Sequence, residues 1–526
     1  MRKIICVVLA VALGLAGFAM AAFAQSSFVT YEQFGAVGDG VTCDFDAIIA
    51  AHNHANRNSL PVRARQNATY LIGESGRTAT IQTNTYWGNA HFILDNYNMS
   101  HDLYVYNVFE VTSRLPAVDM ADRIPSLSAG QENIGITLPQ RSYVVVRDNG
   151  TRHFTRPGSN GAPMTSGIIV NADGSVDPET PIIWDFPNVT DFVVRPIDTQ
   201  TLTITGGNIR TIEAHTGRSG PFVRRGIHIL RSNVVIDGIN HNVEEIPVPG
   251  DTTGRSHGII QILEAANVTV RNGLLVGRVG YDIHIESSAN ITFYHMGQNN
   301  CIHDGRFWGM TGTHRNRNLV FDNVSFSRIG SHQGVHNLTI RNSEVGWSGI
   351  PTTGSGILLL ENTTVSSWHL ITLRELFGSG WNGEFIIRDV VFHPQSSDVA
   401  LIYFANNGRN NFGFETHLPH TITIDGLVID DAHMRWNGRP FPHIYTGPSL
   451  FTANHTYGND ALGVTLLWDY LTNRWRAPYA HNITQEVILN DVEVTSGRRL
   501  SISRSVLEIR PTLFSNIIIT RSSSDA

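Results

Sequence analysis

The sequence predicts an all-β fold, a parallel β-helix, and three observations predict it. Short alternating apolar runs start at Leu202, Val234, Val268, Ile291, Leu319, Leu338, Leu358, Phe385, Ile422 and Val487. Each closes at its fifth position on a residue that tolerates a left-handed backbone or is polar: Gly206, Gly238, Asn272, His295, Asn323, Asn342, Asn362, Asp389, Gly426 and Asp491. A shorter strand-like run precedes most of them, as in Gly226–Leu230, Gly258–Leu263, Asp282–Glu286, Cys301–Asp304 and Gly334–His336. The composition agrees, with 48 glycines and only 16% charged residues, a turn-rich and strand-rich balance.

The steps between starts are 32, 34, 23, 28, 19, 20, 27, 37 and 65 residues. A period near 20 with variable excess is the mark of a solenoid whose loops leave at fixed corners. Alternate apolar residues would point inward and stack from coil to coil, with coils about 4.8 Å apart. An antiparallel sandwich also offers short alternating strands. It gives no reason for the same corner residue type ten times over.

In chain order, residues 1–24 read as an export signal. Arg2 and Lys3 form the positive end, Ile4 to Met20 the apolar stretch, and Ala22-Phe23-Ala24 a cleavage site. The expected product begins near Gln25 and is secreted or periplasmic, with no later run long enough to span a membrane. Lys3 is the only lysine in the chain, so a lysine base or Schiff base is excluded from the exported protein. Cys43 and Cys301 would remain, too few and too isolated for a disulfide framework or a metal motif. A net charge of -7 offers nucleic acid no overall attraction.

Residues 25–60 predict an N-terminal cap. A Gly-rich turn leads to Asp44, which can cap a short helix with Ala47, Ile48, Ala51 and Ala55 on one side. Neither a P-loop lysine nor a G-x-G-x-x-G run follows, so the glycines do not read as a phosphate loop. Residues 61–200 are less regular, with strand-like runs at 142–146, 167–170 and 192–196. They fit either a β-rich subdomain or early irregular coils. Residues 201–526 carry the countable repeat, with an aromatic-rich insertion at 430–481 that suits packing, a wall over the sheet or an end cap.

The run FGAVGDGVTCDFD (residues 34–46) resembles the opening of the pectate-lyase-like superfamily of right-handed parallel β-helices. In that family it forms the first coil and a helix covering the end of the core. Cys43 stands where the pattern usually has its first Asp. The resemblance implies a right-handed solenoid with a short N-terminal capping helix and loop insertions. It also implies a polysaccharide as partner, in a group that includes pectate lyases, polygalacturonase-like hydrolases and phage tailspikes. The paired Asp of polygalacturonases is absent before Cys301, where Asn299-Asn300 stands, and their G-H-G and R-I-K signatures are missing. No catalytic residue carries over.

The candidate site therefore rests on clustering. Alternation along Asp282–Glu286 sends Asp282, His284 and Glu286 outward and the two isoleucines inward. One coil on, His303, Asp304, Arg306 and Trp308 follow Cys301; another coil on, His332 and His336 lie near Arg328. His314, Arg315 and Arg317 are expected on a loop above. The catalytic candidates are Asp282, His284, Asp304, Arg306 and His332. Glu286, His303, Trp308, Arg328 and His336 are the substrate-binding candidates. His284 and Glu286 equally suit the solvated side of a strand, and Asp304 with Arg306 a corner ion pair.

Two reactions suit such a surface. In β-elimination from a uronic-acid polysaccharide, arginine or a cation neutralises the sugar carboxylate and a base such as His332, His284 or Arg306 removes the adjacent proton. Calcium is one such cation, through Asp282, Glu286 or Asp304, although no acid-rich ligand string is present. In hydrolysis, two carboxylates about 5–9.5 Å apart share the work, and Asp282 with Asp304 would supply them. A non-catalytic glycan-binding or adhesion protein is the third reading.

Overall fold

The computed structural model describes residues 27–521, except 74, 98, 157–158, 213–222, 245–257, 276–280, 299–310, 375–379, 396–398, 405–415, 433–434, 437–438, 441–446, 454–466, 470–473, 477–480, 483 and 504–517. The leader, Cys301, His303, Asp304, Arg306, Trp308 and most of the 430–481 insertion lie outside the described residues.

The ten repeat starts fall in one parallel register. Leu202 pairs with Val234, Val234 with Val268, and the pairing continues through Ile291, Leu319, Leu338, Leu358, Phe385, Ile422 and Val487. All ten side chains are buried in one continuous core. Stacking like on like lets each coil fill the groove of its neighbour at interior packing density. Every fifth-position residue has positive φ, from +44° at Asn362 to +80° at Gly238. The chain turns there because Asn, Asp and Gly bear the left-handed conformation at little cost. His295 takes it too, at +50°, and its Nδ1 lies 2.9 Å from Asn272 Oδ1.

A second corner repeats just before the starts. Asn233, Asn267, Asn290, Asn318 and Asn337 all have positive φ. Their side-chain amides form a ladder along the axis. Asn267 donates to Asn233 at 3.0 Å, Asn290 to Asn267 at 3.1 Å, Asn318 to Asn290 at 2.8 Å and Asn337 to Asn318 at 3.0 Å.

A shorter parallel sheet closes the coils on a third side, with Ala79–Ile81, Phe109–Val111, Ile227–Ile229, Ile260–Leu263, Ile283–Glu286 and Thr311–His314 side by side. At the N-terminal end, helix Phe45–Asn58 buries Phe45, Ala47, Ile48, Ala51, His52 and Ala55 against the core. Asp44 does not cap this helix through its side chain. Its Oδ1 instead accepts from the Val37 amide at 2.6 Å, tying down the Gly-rich turn, because that turn presents bare N–H groups.

Residues 118–196 do not continue the solenoid. Val118–Asp119, Ser142–Arg156, Ser159–Val170 and Asp191–Pro196 form an antiparallel sheet with a core of its own around Leu127, Val144, Ile168, Phe186 and Phe192. Its other face packs Tyr143, Val145, Ile169 and Ile197 onto Ala266 and Ala289 of the solenoid. The two alanines leave room for that approach, and the Tyr143 hydroxyl donates to the Ser287 carbonyl at 2.6 Å. Buried Arg317 donates to the Pro181 carbonyl and to Ser166. Arg317 is therefore a docking residue beneath the subdomain and not a loop residue above the site. Burial pushes its guanidinium down to about 10.

Candidate active site

The docked sheet stands as a wall beside the short third sheet, and the candidate site lies on the floor beside it. Along Ile283–Glu286, Ile283 and Ile285 are core residues, which leaves His284 and Glu286 on the opposite face. Parallel pairing then sets Glu286 beside His314 on the next strand. His314 thus belongs to strand Thr311–His314 and not to a loop. His284 meets His314 edge to face at 4.9 Å, and His314 meets His332 in the same way at 5.3 Å. Three successive levels of the solenoid each contribute an imidazole.

Glu286 is the hub. Its Oε2 lies 3.5 Å from His284 Nε2 and 4.0 Å from His314 Nδ1, and its Oε1 accepts from Arg315. Arg315 also donates to Gln333 at 2.6 Å. Burial pushes the Glu286 carboxyl up, but bonds from His284 and His314 and the Arg315 charge outweigh it and hold it well below the usual carboxylate range. Burial, only partly offset by Glu286, pushes His314 down to about 4. At neutral pH the site therefore holds an ionised carboxylate and a neutral His314 imidazole.

One coil earlier, Glu264 takes both Arg147 and Arg195 from the wall. The Glu264 amide donates to the Glu286 carbonyl at 3.0 Å, so the two acidic centres are neighbours along the floor. Among the described residues of the floor, three guanidinium groups thus face two carboxylates, with one positive charge in excess. Arg147 and Arg195 had no signal in the sequence as site residues. They arrive from strands 117 and 69 positions before Glu264, and only the docking of that pair brings them here.

The remaining candidates separate. Asp282 does not face outward with His284. It is fully buried, with Oδ1 3.4 Å from His241 Nδ1, and His241 Nε2 lies 2.9 Å from the Thr211 hydroxyl. Asp282 precedes the first paired residue of its strand, so strict alternation does not govern it. Inside the coil a buried carboxylate needs a polar partner, and His241 is there. Arg328 is buried over the Tyr281 ring at 5.8 Å, with burial lowering its guanidinium from its ordinary value. His336 pairs along the long sheet, its Nδ1 3.0 Å from Ser355 Oγ, and so stands apart from the cluster. The structure brings together His284, Glu286, His314, Arg315 and His332.

A calcium ion would want six to eight oxygen ligands. With Asp282 turned into the coil and Asp304 outside the described residues, Glu286 is the one acid of the three expected that faces the floor. Two imidazoles beside it do not make an oxygen-rich cage.

The sequence matches no protein-family model and no curated protein. Solved structures share the fold. The Pseudomonas phage phi297 tailspike gp61 is 12% identical, with a TM-score of 0.53 over 90% of this chain and 82% of that one. The gp54 tailspike of Acinetobacter baumannii bacteriophage AP22, in complex with A. baumannii capsular saccharide, is 10% identical, with a TM-score of 0.51 over 94% of this chain and 79% of that one. The capping helix, the coil-by-coil register and these two likenesses agree, and the fold is a right-handed parallel β-helix.

Proposed function

We propose that this chain is an exported enzyme that cleaves an anionic, uronic-acid-containing polysaccharide by β-elimination. The observation that carries the reading is the charge state of the floor. It offers a neutral imidazole and an excess guanidinium, while both of its carboxylates are tied to arginines. A glycoside hydrolase needs one carboxyl held protonated near neutral pH to donate to the leaving oxygen. Glu286 is driven the opposite way. Elimination needs a base and a positive group at the sugar carboxylate, and these are present.

In this reading the arginines of the wall and Arg315 draw the uronate in and stabilise the charge that builds on its carboxylate. His332 takes the proton from the carbon beside that carboxylate. The bond from the neighbouring ring carbon to the glycosidic oxygen then breaks, leaving a ring double bond, and the leaving oxygen takes a proton from water to become a sugar hydroxyl. The leader sequence, with its A-x-A site, supports export to where such polymers are met. The AP22 tailspike, solved in complex with capsular saccharide, supports a polysaccharide as partner for this fold.

The test incubates the full exported chain with a panel of uronic-acid and neutral polysaccharides. The ultraviolet absorbance of unsaturated uronate and the yield of reducing ends are read together. A joint rise is expected on a uronic-acid polymer. Reducing ends without the chromophore would replace elimination by hydrolysis, and binding with neither product would make the chain a glycan-binding protein.

A further inference from the structure

We propose that His284, Glu286 and His314 form a binding site for one zinc-like divalent cation. One ligand atom from each lies within 4.8 Å of the others, the one such grouping among the described residues. The spacings are 3.5 Å from His284 Nε2 to Glu286 Oε2 and 4.0 Å from His314 Nδ1 to the same oxygen. These are at or beyond the outer limit of a hydrogen bond, where N–H···O pairs normally close to about 2.9 Å. They are near what a metal imposes. Bonds of about 2.0–2.2 Å in a tetrahedron put neighbouring ligand atoms about 3.3–3.5 Å apart.

The backbone makes this arrangement rigid. His284 and Glu286 are two positions apart on one strand and so share a face, and His314 is the parallel partner of Glu286. All three side chains therefore leave a paired sheet and not a loop. Arg315 holds the other carboxylate oxygen, and Gln333 holds Arg315, which fixes Oε2 toward the two imidazoles. Outer-shell bonds of this kind orient metal ligands in known sites.

The donor set chooses the metal class. Two imidazole nitrogens and one carboxylate oxygen suit zinc and its borderline neighbours, and exclude calcium and magnesium as the preferred ions. Three protein ligands leave a fourth position for water or a substrate oxygen. The inference stands apart from the elimination reading, because its readout is binding and not turnover.

The experiment uses the full exported chain, stripped with a chelator, dialysed and titrated with zinc in a calorimeter at neutral pH. One site per chain with a dissociation constant in the micromolar range or tighter is expected. Cobalt should fill the same site and give the visible absorption of a four- or five-coordinate centre. Glu286→Gln and His314→Ala should each weaken zinc by at least about 100-fold, given that outer-shell losses alone reach that scale. His295→Asn, at a corner outside the site, should bind as the parent does. Circular dichroism shows which variants fold; where His314→Ala fails, His284→Gln serves. A folded parent that takes up neither zinc nor cobalt overturns the proposal. So does undiminished binding by folded Glu286→Gln, or equal affinity for calcium.

Discussion

Two rows of polar side chains run along this solenoid, and they differ in a way that separates scaffold from site. On the corner at Asn233, Asn267, Asn290, Asn318 and Asn337 every side chain is the same amide. Each donates to one neighbour and accepts from the next at 2.8–3.1 Å. On the floor at His284, Glu286, His314 and His332 the groups are unlike, and one Glu286 oxygen gathers His284 Nε2 at 3.5 Å and His314 Nδ1 at 4.0 Å. A satisfied row explains itself by the need to pair buried polar groups. A row of unlike groups gathered on one carboxylate is not explained by that need alone.

The largest expected effect comes from breaking the floor. His332→Ala should lower kcat/KM on the uronic-acid substrate by about a thousandfold, roughly 4 kcal/mol of transition-state stabilisation, the scale of a lost general base. Thermal unfolding of the same protein should be unchanged, as initial rates and melting curves will show. A parallel loss of stability would move His332 into the scaffold.

Acid tests a buried imidazole that lies outside both rows. Burial pushes His52, on the inner face of the capping helix, down to about 3. The unfolded chain, titrating near 6.5, then takes up a proton that the folded chain refuses. The stability His52 contributes is complete above about pH 6.5 and is lost as pH falls toward 3, on the order of 5 kcal/mol in all. Denaturant titrations across that window should show the fall, and His52→Gln should flatten it.

Corner substitutions follow. An alanine at Gly206 would place its Cβ 2.4 Å from the Gly88 carbonyl oxygen at φ +75°, against backbone that cannot yield. Gly206→Ala should cost about 3 kcal/mol, read from the shift in denaturant midpoint. Asn342→Ala should cost less, about 1–2 kcal/mol. It keeps a left-handed corner without the amide that donates to Asp322 and accepts from Asn362. Asn342→Gly should be smallest, within about 1 kcal/mol, because glycine restores the backbone freedom. Neither change at Asn342 should alter turnover.

The long sheet was legible because its rule is local. Apolar alternation and a tolerant corner residue recur within each five-residue run, and all ten runs fall in register. The asparagine corner before each run obeys a rule just as local. It was overlooked because Asn233 and Asn267 sit outside the apolar pattern that marks the repeat. His284, Glu286 and His332 were readable from clustering alone. Asp282 was misplaced because it precedes its paired strand, where alternation has no hold. Arg147 and Arg195 were beyond reach, since nothing within strand Ser142–Arg156 or Asp191–Pro196 announces where that sheet will dock.

The fixed corners have a consequence for how such a protein changes over generations. The long strands end at Ile212, Glu244, Leu275 and Gln298, and the short sheet resumes at Ile227, Ile260, Ile283 and Thr311. Four connections of unequal length thus begin and end at the same two edges. Their ends are held by the register of the coils, so lengthening one costs only the slow growth of loop entropy. Selection can rewrite these connections one at a time while the core keeps every partner it has. Two descendants can then differ in these connections while remaining superimposable in architecture.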